Sequence, residues 1–240
     1  MKCAGRTETG LRSQNEDCYL ILNTASVHAV AVSDGMGGHR AGETASATAI
    51  ETLSHCLSEC GDVWEGALSD AFRKANTAVH TLAQSDDSMY GMGCTLVAAI
   101  YDETHFVAAN VGDSRLYHFD GSTIRPVTHD HSFVAELVRR GIITEEEAKT
   151  HPRRNLITRA IGTESRVACD IFPCEWKQGD MLLLCSDGLC GVISEAETAA
   201  YLRNSVDLDA TCASLISRAL QLGSRDNITV VLVQNDGGNA

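Results

Sequence analysis

The pattern of apolar and polar positions changes character several times along the chain. An apolar run over Val27–Val32 predicts a buried strand, and it breaks into Ser33-Asp34-Gly35. From about Ala41 to Cys60 the apolar positions Ile50, Leu53 and Leu57 return on one helical face. A second helix is predicted at once, opened by a capping box, Asp62-x-x-Glu65, and carrying Trp64, Ala67, Leu68, Ala71, Phe72, Ala75, Val79 and Leu82 at helical spacing. That stripe reads as core.

Between Cys94 and Val127 the texture turns to short β-rich pieces, CTLVAAIY, HFVAANV, SRLYHF and STIRPV, separated by Asp-Glu, Gly-Asp and Asp-Gly turn signals. Connections this short demand antiparallel neighbours. Helical patterns follow at about 131–140 and 144–149, and MLLLCS at 181–186 reads as a strand buried on both faces. Helices near 195–203 and 207–221 precede a last strand, Ile228–Val233. This order predicts an α+β fold of antiparallel strands flanked by pairs of helices rather than alternating βαβ units. Only three prolines and no low-complexity linker interrupt it, so residues 1–240 are expected to form a single domain.

Composition narrows the function classes. With 44% hydrophobic residues the chain can bury a full core. Nineteen basic against 32 acidic residues give a net charge of −13, which argues against nucleic acid or an anionic membrane as the main partner. The first residues lack an apolar h-region, and no apolar run approaches the roughly 18–20 residues of a membrane span, so a cytoplasmic protein without a membrane span is expected. Ten cysteines contain no C-x-x-C pair and are expected to be mostly buried small hydrophobes.

Four carboxylates stand at predicted strand ends: Asp34, Asp113, Asp187 and Asp226. Asp-Gly is a common hairpin turn, but a two-residue hairpin needs a second strand straight after it. Gly35 and Gly188 are each followed by loop and then helix, so the hairpin fails there, whereas Asp113 keeps a turn alternative. Carboxylates converging where strands end suit hard divalent cations, Mn²⁺ or Mg²⁺, which take oxygen ligands and neutralise the clustered charge. A nucleotide-binding P-loop is excluded because Glu43 stands where Gly37–Thr44 would need lysine.

In order, the chain shows RSQNED (12–17), SDGMGGHRAGE (33–43), GMGCT (91–95), NVGDSRLY (110–117), THDHS (128–132), ITRAIG (157–162), GDMLLLCSDGL (179–189) and SRDNITVV (224–231). On these eight pieces it resembles the metal-dependent protein phosphatases of type 2C, in their compact bacterial form. The resemblance implies a four-layer αββα sandwich, two mostly antiparallel sheets flanked by helix pairs. It implies two Mn²⁺ or Mg²⁺ ions, with a weaker third, and hydrolysis of phosphoserine and phosphothreonine by in-line attack of a metal-bridging hydroxide. By the same resemblance Asp34 bridges both ions, the Gly35 carbonyl meets the first, and Asp187, next to Gly188, and Asp226 meet the second. Glu16 and Asp17 hold metal-bound waters, Asp113 serves the third site with Asp187, and Arg12 clamps substrate phosphate. Asn227 matches a site neighbour without an assigned role.

One position departs from the family. Eukaryotic members carry histidine directly after Asp-Gly, as a proposed general acid, whereas Met36 stands here and His39 lies three residues on. His39 and a metal-bound water are the two candidates for protonating the leaving group, the water being favoured. The segment Arg139–Arg166, with its Arg153-Arg154 pair, falls where the family carries a flap and reads equally as a solvated charged loop. The implied partners are phosphorylated proteins and the Ser/Thr kinase opposed, for an expected monomer. The alternatives are a phosphatase of anti-sigma antagonist type and a non-catalytic phosphopeptide- or kinase-docking module.

Overall fold

The structure, a computed structural model, describes residues 1–37, 40–58, 60–61 and 63–237. In chain order the strands and helices are β1 (Lys2–Glu8), β2 (Asp17–Asn23), β3 (His28–Met36), α1 (Arg40–Ser58), α2 (Trp64–Ser85), β4 (Gly93–Cys94), β5 (Leu96–Tyr101), β6 (His105–Val111), β7 (Arg115–Phe119), β8 (Ile124–Pro126), α3 (Phe133–Arg139), α4 (Glu145–Thr150), β9 (Asp170–Glu175), β10 (Met181–Cys185), α5 (Asp187–Cys190), α6 (Glu195–Arg203), α7 (Leu208–Gln221) and β11 (Ile228–Gln234). One sheet runs β1-β11-β10-β7-β8 and the other β2-β3-β5-β6-β9, with β4 added to β3. Neighbouring strands pair antiparallel throughout.

The period-2 alternation of the strands explains the layers. Val30 and Val32 of β3 point inward with Leu182 and Leu184 of β10 and Val231 and Val233 of β11, filling the space between the sheets. Ala29 and Ala31 of the same β3 point the other way, onto Leu53 and Leu57 of α1 and Leu68 and Phe72 of α2. On the far side Met181, Leu183, Val230 and Leu232 meet Leu202 of α6 and Leu215 and Ile216 of α7. The result is the expected αββα sandwich. Several helices begin where a short polar side chain takes an orphan amide: Ser132 accepts from Ala135, Ser194 from Glu197 and Asp207 from Ala210.

The differences from the predicted elements have physical causes. Strand β3 continues four residues past Val32, because β2 on one side and β4 on the other still pair with it there. Strands β1, β2 and β9 are additional to the predicted ones. All three are sheet edges, with half-exposed surfaces that blur the apolar pattern, and β9 carries Pro173, which an edge strand tolerates. The capping box rests on Asp62, outside the described residues, and α2 starts at Trp64 with Val63 at the cap and no side-chain cap bond. All ten cysteines are free thiols, but only Cys94, Cys185 and Cys212 are fully buried, fewer than expected.

Candidate active site

At one end of the sandwich the two sheets bring their carboxylates together. Asp17 opens β2 and lies directly opposite Asp34 in β3. Like charges directly opposite each other destabilise an antiparallel pair, so this end of the sheet requires a proton or a cation. From the other sheet, Asp187 follows β10 as the first residue of α5, and Asp226 precedes β11, the partner of β10. Asp113 sits between β6 and β7, which belong to different sheets. Its turn therefore steps from sheet to sheet, and the hairpin alternative for Asp113 is removed.

Burial, reinforced by neighbouring negative charge, raises the pKa values of four of these carboxylates. Burial, followed by the charges of Asp17, Asp187, Asp113 and Asp226, holds Asp34 well above the ordinary carboxylate range. Burial pushes Asp17 up to about 7, against the hydroxyls of Thr229 and Ser186 that favour its charged form. Asp113 also reaches about 7, through burial and then Asp187 and Asp130. Asp187 is raised by burial and by Asp226, and it shares a hydrogen bond with Asp34. Two oxygens, Oδ1 of Asp17 and Oδ1 of Asp187, are buried with no hydrogen-bond partner. An acceptor left so costs about 1–3 kcal/mol, more when charged.

A hard divalent cation fits this donor set, which is entirely oxygen, carries net negative charge and holds two orphaned acceptors. Among the described residues no three His, Cys, Asp or Glu side chains close on one point as a finished ligand shell would.

Each carboxylate is held by a specific scaffold. Asp17 Oδ2 accepts from Ser186 Oγ at 2.8 Å and Thr229 Oγ1 at 2.6 Å, so a residue of one sheet is gripped by two from the other. The Asp34 amide donates to Thr95 Oγ1 at 2.9 Å, and Thr95 Oγ1 meets Ser114 Oγ at 2.7 Å, tying Asp34 to the turn that bears Asp113. The Gly35 amide donates to the Glu16 carbonyl at 3.1 Å, which also accepts from Ser46 Oγ at 2.6 Å. The Gly188 carbonyl accepts from Ser224 Oγ at 2.8 Å. Sequence patterning marks none of Ser186, Thr229, Thr95 and Ser114. The one visible signal is the repeated Ser-Asp-Gly at 33–35 and 186–188, in which the serine anchors the turn.

Arg12 lies at the exposed rim, on a loop anchored by the buried Asn227. Arg12 Nη2 donates to Asp226 Oδ2 at 2.7 Å in an exposed pair, and that hydrogen bond raises the guanidinium's pKa. Asn227 holds the loop that bears Arg12: its Nδ2 donates to the carbonyls of Thr9 and Gln14, both at 2.9 Å, and its Oδ1 accepts from the Glu16 amide at 2.8 Å. Asp130, unmarked by the sequence pattern within THDHS, accepts both Nε and Nη2 of Arg115 at 2.8 and 2.7 Å beside Asp113. His39 lies outside the described residues. Within the flap segment, Arg153 stands over the Phe133 ring at 5.6 Å.

With this geometry in place, known proteins resemble the chain closely. The sequence model described as Protein phosphatase 2C matches residues 4–229. A serine/threonine phosphatase stp of Listeria monocytogenes is 40% identical over 238 residues, covering 96% of this chain and 94% of that protein. The crystal structure of serine/threonine phosphatase Stp1 from Staphylococcus aureus superposes with a TM-score of 0.91 at 36% identity, covering 97% of this chain and 94% of that one. A catalytic domain of the phosphatase PstP, solved with two manganese ions, gives a TM-score of 0.86 at 34% identity, covering 97% of each chain. The chain belongs to the protein phosphatase 2C family.

Proposed function

We infer that this protein is a metal-dependent serine/threonine phosphatase that dephosphorylates proteins. The observation that carries the reading is the convergence of Asp17, Asp34, Asp113, Asp187 and Asp226, from both sheets, beside an exposed arginine. Asp34, the Gly35 carbonyl, Asp187 and Asp226 are assigned as the residues that hold two Mn²⁺ or Mg²⁺ ions. Glu16 and Asp17 act through water, and Asp113 serves a weaker third site. When bound, such cations neutralise the phosphate dianion and lower the pKa of a water toward hydroxide.

The remaining roles belong to the chain's own groups. Arg12 offers a planar fork that matches two phosphate oxygens, and its contact with Asp226 Oδ2 uses only part of that fork. Ser186 and Thr229 both bind Asp17 Oδ2, and Asp17 Oδ1 is left buried without a hydrogen-bond partner. Because both sheets supply site residues, the chain works as one catalytic unit. Its counterpart is a Ser/Thr kinase whose products it reverses. The chain is read as a monomer. Among the described residues no helix is long and apolar enough to cross a membrane.

The test is hydrolysis of a phosphothreonine peptide with Mn²⁺, with EDTA and by the Asp187→Ala variant. Turnover should need the metal and vanish in the variant; turnover that survives thorough chelation refutes the reading. For His39, the His39→Ala variant should retain its turnover of both a phosphoserine peptide and p-nitrophenyl phosphate, whose leaving group needs no proton. A selective loss on the peptide would make His39 the proton donor.

A further inference from the structure

His131 is 2% exposed, and each of its polar groups has a partner. Its Nδ1 accepts from the Gly112 amide at 3.1 Å, and its own amide donates to the Gly112 carbonyl at 2.9 Å. A ring nitrogen that accepts from an amide carries no proton, so the proton stands on Nε2, which donates to Asp170 Oδ2 at 3.1 Å. Arg159 Nη1, 3.2 Å from Nε2, finds no acceptor there and donates to Asp170 Oδ1 at 2.8 Å. Asp170 thus selects the tautomer that leaves Nδ1 free to accept. Gly112 directly precedes Asp113 in the turn between β6 and β7. Its φ is 112°, and a Cβ there would stand 2.6 Å from the side chain of Thr95, which also binds the Asp34 amide. The hydrogen bond that favours the charged form of Asp113 comes from its own backbone, so the carboxylate goes where the turn goes.

We propose that His131 is a positioning residue for the weaker third cation site: by holding the Gly112 amide on Nδ1, it sets where the Asp113 carboxylate stands relative to Asp187. The proposal rests on the assignment of Asp113 and Asp187 to that site. Groups behind a ligand orient it, and removing one typically weakens metal binding ten- to a hundredfold. Asp170 and Arg159 stand one step further back, since they act on Asp113 only through the imidazole. The effect is local. Asp34, Asp187 and Asp226 are held by other groups, Thr95, Ser186, Ser224 and Arg12 among them, so the tighter sites do not depend on the histidine.

Two substitutions of similar polarity separate the ring nitrogens. In His131→Asn the amide oxygen reaches the place of Nδ1 and still accepts from Gly112, whereas in His131→Gln the amide reaches the place of Nε2 and keeps only the Asp170 contact. Mn²⁺ binding to the full chain is followed by the electron paramagnetic resonance of the free ion. In His131→Gln the weakest site should lose roughly ten- to a hundredfold in affinity with the tighter sites unchanged, and His131→Asn should bind as the wild type does. Asp113→Ala should lose the same site, and adding His131→Gln to it should weaken binding no further. A wild type without a third site, a weakest site unchanged in His131→Gln, or equal losses in the glutamine and asparagine variants overturns the role. Parallel weakening of every site in His131→Gln also overturns it, because the histidine then serves the fold alone. A wild type that binds Mn²⁺ at all three sites and hydrolyses no phosphothreonine peptide refutes the phosphatase reading, while the binding result still decides the role of His131.

Discussion

At the scale of single residues, Asn227 and Arg12 differ although they share one loop. Asn227 makes three hydrogen bonds to the backbone of residues 9–16, and Asn227→Ala removes all three. At about 1 kcal/mol for each bond the loss is roughly 2–3 kcal/mol, visible as a lower denaturant midpoint, and KM for a phosphopeptide rises because Arg12 is no longer positioned. Arg12→Ala should behave in the opposite way. Its exposed pair with Asp226 contributes about 0–1 kcal/mol, so the midpoint barely moves, whereas kcat/KM falls roughly ten- to a hundredfold with the phosphate contact gone. Equal stability losses in both variants would contradict the division of roles. The sequence exposed Arg12 through its motif but left Asn227 without a role, because its three partners lie more than 200 residues away along the chain.

At the scale of elements, the site depends on how closely strand ends pack against the turns and helices beyond them. A Cβ on Gly188 would collide with the Asn227 carbonyl, and one on Gly35 with the Gly42 carbonyl at the start of α1. Gly188→Ala should therefore push α5, and Asp187 with it, away from the head of β11, costing roughly 1–3 kcal/mol and most of the turnover. Far-UV circular dichroism should be unchanged, since both sheets pair without that turn; a fully active Gly188→Ala variant would show that α5 adapts freely. Asp34 and Asp187 were legible as candidates because an apolar run that stops at a carboxylate, with no strand to follow, has few structural explanations, whereas Asp226 was marked only by its place just before the last strand. The length of β3 was not legible, since Ser33-Asp34-Gly35 is polar and turn-like and stays extended only through pairing with β2 and β4. Asp113 could not be resolved because a sheet-to-sheet step and a hairpin have the same local sequence. The hydroxyls of Ser186, Thr229 and Thr95 were invisible for a related reason: their value comes from contacts across the sandwich.

At the scale of the whole molecule, the carboxylate cluster makes stability depend on pH in a direction opposite to that of ordinary surface acids. Asp17 and Asp113 titrate at about 7 in the folded protein, and Asp34 and Asp187 are also raised, against about 3.9 for aspartate in an unfolded chain. Between those values the folded protein holds protons that the unfolded chain has released. The contribution is therefore fully present below about pH 4 and is lost as pH rises through 7, by about 1.4 kcal/mol per group for each pH unit between its two values. Burial lowers the pKa of His131 despite Asp170, which acts the other way, its share being lost as pH falls below about 6.5. Comparison with Asp17→Asn isolates the acids, since asparagine can still accept from Ser186 and Thr229 but does not titrate. In EDTA the wild type's melting temperature should fall more steeply than the variant's between about pH 5.5 and 8. Cations must displace the same protons, so added Mn²⁺ should raise the wild type's melting temperature more at the upper end of that range than at the lower. Titration calorimetry in two buffers of different ionisation enthalpy should show proton release on binding near neutral pH. Equal Mn²⁺ stabilisation at both ends of the range, with no proton release, would mean that the carboxylates shared between the two sheets are not the groups that receive the metal.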